Sequence, residues 1–361
     1  MPDLPAELWI NILARLSTKE LVRLTCVSKE WNDTIQDPQL AITQFQRSIK
    51  TKSHPTIFII PYSPIMSCYF SLNFFDDTRS GKLLRIKLPW QHPPLVRDII
   101  FGNCNGLVCM RDGACFLLWN PSIRKFKRIP SSPFSILWYQ NSYGGFGYDS
   151  VNDDYKLVSF MDCGTYCLVH MYSLKSRTWK RIQDLPLKKF VVHSMGVFLK
   201  GTLHWLMRHE TDDETMIIGT LDLVSEEFCQ FTLPIHMFHG DISDKNSIRF
   251  NLVVVEGYLC IYRKECGSRA WIMREYGVAE SWTMLYSLDN NWIDGCKPLM
   301  LSSCGKMVLL QDSHYLVWYD LRNGKRKTVR IDGMILFGFH DDMPKCFDAI
   351  ISVGSIHHLQ S

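Results

Sequence analysis

The sequence predicts two unlike parts: a small all-α unit of three helices over residues 1–45, and a larger all-β domain built from repeated four-stranded units. Three observations carry this. The first residues have a helical period of apolar positions; from Thr56 the chain breaks into short apolar runs between Gly, Asn, Asp and Pro; and one strand–turn–strand phrase recurs. It appears as "LWNPSIRKFKRIP", as "VHMYSLKSRTWKRIQDLP" from Val169 and as "IGTLDLVSEEFCQFTLP" from Ile218.

In the helical part, Leu8, Ile12 and Leu16 step by four with Leu13 beside them, and Leu21, Leu24, Val27 and Trp31 form a second apolar face. Between the faces, Ser17 and Glu20 have the spacing of a capping box, with Leu16 and Leu21 flanking them as a hydrophobic staple. Ser28 offers a further N-cap before "KEWNDTI". Three short helices bury too little apolar surface to stand alone, so part of it is expected to meet a partner. The plainer alternative is a helical lid on the following domain.

In the β part, Met195 to Pro234 serves as the pattern: a strand, a Lys200-Gly201 turn, a second strand, a polar loop, a third strand, a Ser-Glu-Glu turn and a fourth strand. Four antiparallel strands in about 40 residues make one propeller blade. The first turn recurs at Asn105-Gly106, Asn152-Asp153-Asp154, Lys200-Gly201, Glu256-Gly257 and Cys304-Gly305. The last strands end at Ile129-Pro130, Leu185-Pro186, Leu233-Pro234, Leu288 and Ile331. Five units are complete. Before them lie only "TIFIIPY", "CYFSLNFF" and "LLRIKLP", and after them "FDAIISV" from Phe347 to Val353. A closed ring has no free edge, so the expected architecture is a six-bladed β-propeller closed by this C-terminal strand, with packed antiparallel sheets as the alternative. "MILFGFH" (334–340) has no place in the scheme. The expected boundaries are 1–45 for the helices, 46–55 for a linker, 56–355 for the β domain and 356–361 for a tail.

Composition narrows the function. A net charge of +4 is too mild to argue for nucleic acid or a membrane surface as partner. Thirteen cysteines without a CxxC pair, no secretory leader and no long apolar run point to reduced thiols in the cytoplasm or nucleus. "GGFGYD" at 144–149 precedes no helix, so it is no dinucleotide loop, and GxSxG, HExxH and P-loop motifs are absent from the sequence. Paired carboxylates at Asp76-Asp77, Asp212-Asp213 and Asp341-Asp342 fall in polar turns. Cys163, Cys167 and His170 lack the nearby fourth ligand that structural zinc requires. A set of His and Tyr converging on the propeller axis would suit a metal, but the identifiable inner strands carry few of these, with His204 and Tyr258 the exceptions. No catalytic residue, metal or cofactor is therefore expected. The basic strands "RKFKR", "KSRTWKR" and "RNGKRK" fall on outer strands, where Lys and Arg discourage edge pairing.

Leu-Pro at 4–5, Leu8, Ile12-Leu13, Leu16, Leu21, Leu24, Val27-Ser28 and Trp31 together resemble the F-box. The resemblance implies docking onto the Skp adaptor of a cullin-based ubiquitin ligase through Leu4, Pro5, Leu8, Ile12, Leu16, Leu24, Val27 and Trp31. "CNGLVCM", "LWNPSIRKFKRIP", "YGGFGYDSVNDDYKLVSF", "GVFLKGTLHWL" and "WIMREYGVAESWTML" are similar, in order, to the plant F-box-associated domain of the F-box/kelch-repeat and S-locus F-box group. The implied function is a non-catalytic substrate-recognition subunit whose β domain holds an unidentified target protein. In a propeller, equivalent loops open on one rim, and the blade-to-blade connections carry Phe134, Trp138, Tyr139, Met237, Phe238 and Trp292. Loop aromatics of this kind are candidate hot spots for a protein target. The alternatives are a propeller that binds a glycan or small molecule, and an adaptor-bound scaffold without a degradative role.

Overall fold

The computed structural model describes residues 5–51, 56–61, 68–73, 80–87, 100–112, 115–132, 143–162, 166–182, 190–192, 194–209, 216–234, 250–263, 268–288, 295–312, 315–332, 347–352 and 355–356. The chain divides into two compact units, Met1–Pro130 with Val329–Ser361, and Ser131–Thr328.

The first unit begins with four helices among the described residues, where the sequence suggested three: α1 (Ala6–Leu13), α2 (Thr18–Leu24), α3 (Lys29–Gln36) and α4 (Pro38–Thr51). The capping box forms as expected, with Glu20 N donating to Ser17 Oγ at 3.3 Å and Ser17 N donating to Glu20 Oε2 at 2.8 Å. Trp31 N donates to Ser28 Oγ at 3.2 Å and starts α3. Helix α4 opens at Pro38, where a missing N–H costs nothing, and Asp37 Oδ1 accepts from Gln39 N at 2.8 Å. It runs on through residues 46–51, the first part of the expected linker. Its period was hidden because its buried face mixes Leu40 and Ala41 with Gln44 and Ser48. Gln44 Nε2 lies 3.3 Å from Thr18 Oγ1 and 3.2 Å from Ser48 Oγ, which makes a polar seam between α2 and α4. Leu13, Ala14, Leu21, Ile35, Leu40 and Ala41 form the apolar core of this bundle.

Strands β1 (Thr56–Pro61), β2 (Cys68–Asn73) and β3 (Ser80–Lys87) follow as an antiparallel meander. Next, β4 (Ile100–Cys104), β5 (Leu107–Asp112), β6 (Cys115–Asn120) and β7 (Lys125–Ile129) form a four-stranded sheet in chain order. The phrase "LWNPSIRKFKRIP" is its β6–β7 hairpin, with β7 largely exposed as the outer strand.

The second unit holds four more sheets. They comprise β8 (Gly144–Asp149), β9 (Asp154–Asp162), β10 (Cys167–Ser173) and β11 (Thr178–Arg181); β12 (Phe190–Val192), β13 (Val197–Leu199), β14 (Thr202–His209), β15 (Met216–Asp222) and β16 (Phe228–Thr232); β17 (Phe250–Val255), β18 (Tyr258–Arg263), β19 (Arg269–Met273) and β20 (Trp282–Ser287); and β21 (Lys297–Leu301), β22 (Met307–Gln311), β23 (Leu316–Asp320) and β24 (Arg326–Thr328). Successive sheets share apolar cores. Phe160 and Val169 meet Trp205 and Leu221, Leu206 and Ile218 meet Ile261 and Trp271, and Ala270 and Ile272 meet Val308 and Leu310.

The recurring first turn is read correctly from the sequence. Asn105, Lys200 and Glu256 take φ of 49°, 51° and 51°, each followed by a glycine at 77°, 81° and 79°, the backbone of a type I′ hairpin. One sheet differs in detail. Its innermost strand is split into β12 and β13, which pair with opposite halves of β14. Phe190–Val192, lying between the expected end of one unit at Pro186 and the start of the next at Met195, is thus strand. The split includes Gly196, where a Cβ would lie 2.5 Å from the Trp205 indole nitrogen.

The chain then returns to its first sheet. Strand β25 (Arg330–Asp332) adds in parallel to β3, and β26 (Phe347–Ser352) adds antiparallel to β1, with Thr56 opposite Ser352 and Pro61 opposite Phe347. Six equivalent blades were expected; five sheets have the build of a blade, and the sheet of β1–β3 is a composite in the order β25-β3-β2-β1-β26. The last blade stops with β24 at Thr328, so Ile331, expected to end that blade, lies instead within a strand of the composite sheet. The C-terminal strand does complete the N-terminal sheet, as the sequence suggested. The segment 334–340 lies outside the described residues.

Candidate functional site

The helical unit sorts its apolar side chains into two sets. Leu13 and Leu21 face the core, whereas Leu8 (47% exposed), Ile12 (46%) and Val27 (61%) face outward. Leu8 and Ile12 are one helical turn apart on α1 and so share a face. Pro5 is exposed at the start of α1, where its carbonyl accepts from Leu8 N at 2.9 Å. Leu16, Leu24 and Trp31 are half-buried and packed against the bundle core. Trp31 also meets Trp9 edge-on, with ring centroids 5.6 Å apart. Of the eight positions implied by the sequence, four are free surface, three brace the core beneath, and Leu4 lies outside the described residues. Ile42 on α4, 36% exposed, was not foreseen because α4 itself was not.

All six loop positions expected to face a target, Phe134, Trp138, Tyr139, Met237, Phe238 and Trp292, lie outside the described residues. Cys163 does too, while Cys167 and His170 are buried on β10. Among the described residues, no three His, Cys, Asp or Glu side chains gather as a metal site would require. Tyr258 opens β18 and is 39% exposed, whereas His204 is fully buried on β14.

Two polar clusters occupy the hairpin turns of the second unit. In one, buried Lys156 reaches Asp149 Oδ2 at 2.9 Å and Glu226 Oε1 at 3.2 Å, and Lys180 closes on Glu226 Oε2 at 2.6 Å. Burial alone would raise the Asp149 pKa. Hydrogen bonds from the Asn152 side chain and backbone, together with Lys156, outweigh that and hold it at about 2. A polar cavity of about 230 Å³ lies beside this cluster, lined by Lys156, Lys180, Glu226, Asp154 and neighbours. Its charges pair with one another, so that Lys156 and Glu226 tie neighbouring turns together.

In the second cluster, His204 Nδ1 lies 3.3 Å from the Val197 carbonyl and Nε2 lies 2.7 Å from the Tyr276 hydroxyl. A carbonyl can only accept, so Nδ1 carries the proton and Nε2 accepts from Tyr276. Burial pushes the His204 pKa down to about 4, so the ring is neutral at pH 7. The Lys200 ammonium sits 5.2 Å from the centroid of the Tyr276 ring.

Fold and surface together define a class: a small helical unit followed by an all-β domain of blade-like sheets, with apolar side chains left exposed on the helices. Residues 1–43 match the F-box domain and residues 60–345 match the F-box associated beta propeller domain, so the chain belongs to the F-box proteins that carry this domain. It is 28% identical to the F-box protein CPR1 of Arabidopsis thaliana over 99% of this chain and 89% of that protein. It is 27% identical to the F-box/kelch-repeat protein At3g23880 of the same plant, over 90% and 89%. Among solved structures, a chain of the nidogen/laminin complex aligns with a TM-score of 0.46 at 12% identity, over 83% of this chain and 99% of that one, too distant to bear on function. An F-box domain is the kind that binds Skp adaptors in SCF complexes. Among the described residues, no helix is long and apolar enough to cross a membrane.

Proposed function

We propose that the protein is a substrate-recognition subunit of a Skp–cullin–F-box ubiquitin ligase. The observation that carries this reading is the outward set Leu8, Ile12 and Val27 on a bundle whose own core is filled without them. Exposed apolar side chains on so small a unit are stabilised by covering them with a partner, and the F-box match supports a Skp adaptor as that partner. Pro5 extends the surface and Leu4 is a further proposed contact position, while Leu16, Leu24 and Trp31 hold it in shape from beneath. Through the adaptor the chain joins the cullin. The β domain holds a target protein, with Phe134, Trp138, Tyr139, Met237, Phe238 and Trp292 as the proposed contact positions. The protein supplies proximity, which is itself a large rate term, while bond making belongs to the ligase's conjugating enzyme.

The test is co-purification of the full chain with a Skp adaptor, beside a Leu8→Asp/Ile12→Asp variant. Both side chains are about half exposed, so the variant is expected to fold. Capture by the natural chain and loss in the folded variant support the reading. Failure of the folded natural chain to capture the adaptor would sink it.

A further inference from the structure

Residues 347–352 and 355–356 make a different kind of contact every few residues. Strand β26 pairs with β1 over six positions. Ile350 sits in an apolar core with Phe58, Val108, Met110, Leu117 and Trp119, which joins the composite sheet to the sheet of β4–β7. The Ile351 carbonyl accepts from Asn103 Nδ2 at 3.0 Å. Ser355 is held from both sides: its carbonyl accepts from Asn120 Nδ2 at 3.1 Å, and its N–H donates to Ser122 Oγ at 3.3 Å. Ile356, 1% exposed, then enters the helical core beside Leu13, Leu21, Ile35 and Leu40. A stretch expected from the sequence to close the β domain and run into a tail at 356 is thus a shared component of two sheets and a helical bundle.

Asn120 gives this arrangement a chemical signature. Its Oδ1 accepts from Ser122 N at 3.0 Å and so holds the β6–β7 turn. The same service is done at the β15–β16 turn by Asp222, bonded to Val224 N and Ser225 N, and at the β23–β24 turn by Asp320, bonded to Arg322 N. A carboxylate is therefore enough to make the turn. What asparagine adds is an N–H₂ donor, and here that donor is fully buried and directed at the Ser355 carbonyl. An aspartate would keep the turn and set a negative oxygen against that carbonyl.

We propose that residues 347–352 together with 355–356 form a clamp that fixes the F-box helices onto the first two sheets, with Asn120 and Ile356 as its positioning residues. As a device for setting the direction of an adaptor it rests on the ligase reading; as a clamp it stands apart from it. Its effect is that the helices and the sheets of the first unit move as one body, so that bound adaptor has a fixed bearing on them and does not swing on a linker.

The experiment is amide hydrogen exchange on the full chain for the natural protein, Asn120→Asp, Ile356→Asp and Ile356→Leu, with Skp adaptor capture measured in parallel. Exchange in residues 6–51 is expected to quicken by about tenfold in Asn120→Asp and by more in Ile356→Asp, as for a lost buried partner. The strands of the second unit should remain protected, and Ile356→Leu should behave as the natural chain. Unchanged exchange in residues 6–51 in both aspartate variants would overturn the proposal. So would an equal loss of protection across the whole chain, since the segment would then be a general core element and not a clamp. Absence of adaptor capture by the natural chain would count against the ligase reading alone, because the exchange pattern reports the clamp without the adaptor.

Discussion

Lys156 holds Asp149 at 2.9 Å while its other bonds run to Glu226 and to the Leu223 carbonyl, so a single buried ammonium ties the β8–β9 hairpin to the turn of the neighbouring sheet. Both charges are removed from water, and the pair is tolerable only because each partner is also hydrogen-bonded elsewhere. Asp149 additionally holds its own turn through Val151 N and Asn152 N, both at 3.0 Å.

This joint predicts a specific acid response. The folded pKa of Asp149, about 2, lies below the unfolded value of about 3.9. Its contribution is therefore fully present above pH ~3.9 and is lost as pH falls toward ~2. Asp149→Asn keeps the turn acceptor and removes the charge, and should cost about 3 kcal/mol at pH 7. The check is urea unfolding from pH 7 to pH 2.5: the variant should lose the part of the slope that the natural chain shows below pH ~4.

His204 predicts a second window with a different origin. Its folded pKa, about 4, is below the unfolded value of about 6.5, so the unfolded chain takes up the proton first and stability falls as pH drops from ~6.5 to ~4. Tyr276→Phe removes the donor to Nε2 and should destabilise by about 1–2 kcal/mol at pH 7. Imidazole titration followed by NMR would check the tautomer: Nδ1-protonated in the natural chain, with the ring still neutral at pH 5.5.

The two apolar sets on the helices should separate in a mutational series. Leu21→Ala, at a site with no exposure, is expected to cost about 3 kcal/mol. Leu8→Ala, at a site nearly half exposed, should cost less than about 1 kcal/mol while weakening adaptor capture. Thermal unfolding read beside capture distinguishes them; a Leu8→Ala variant that unfolds like Leu21→Ala would show Leu8 to be core.

Gly196→Ala tests the split strand. The new methyl would meet the Trp205 indole nitrogen, which now donates to the Gly144 carbonyl at 3.0 Å. Displacing that ring from a full core should cost about 1–3 kcal/mol. Trp205 fluorescence and the unfolding midpoint would report it together.

The parts of this structure that were legible in the sequence are those written in local chemistry. Ser17 with Glu20 announced a helix start, and Asn105-Gly106, Lys200-Gly201 and Glu256-Gly257 announced hairpins, because each depends on a few adjacent residues. The hidden parts depend on distant partners. Helix α4 buries Gln44 and Ser48 against Thr18, so its inner face did not read as apolar. Arg330–Asp332 looked like the end of a blade, but its pairing with β3 is decided by residues 80–82. On the site, the outward set of Leu8, Ile12 and Val27 matches positions named from the motif, whereas the division between surface and support among the eight required burial to be known. Nothing near Ile356 in the sequence signals that its side chain belongs among helices formed by residues 6–51.

The pairing of Thr56 with Ser352 and the burial of Ile356 among α1, α2, α3 and α4 also fix an order of events during biosynthesis. The helices emerge before the sheets, yet their core is finished by a residue that follows all the described strands. Closing so long a loop is slow compared with forming any single hairpin. A nascent chain released before residue 347 would present β1 as an open edge and the helices with a gap where Ile356 belongs. Completion of the helical core is thereby coupled to the arrival of a residue roughly three hundred positions further along the chain, and a half-made chain lacks that closure by its own packing.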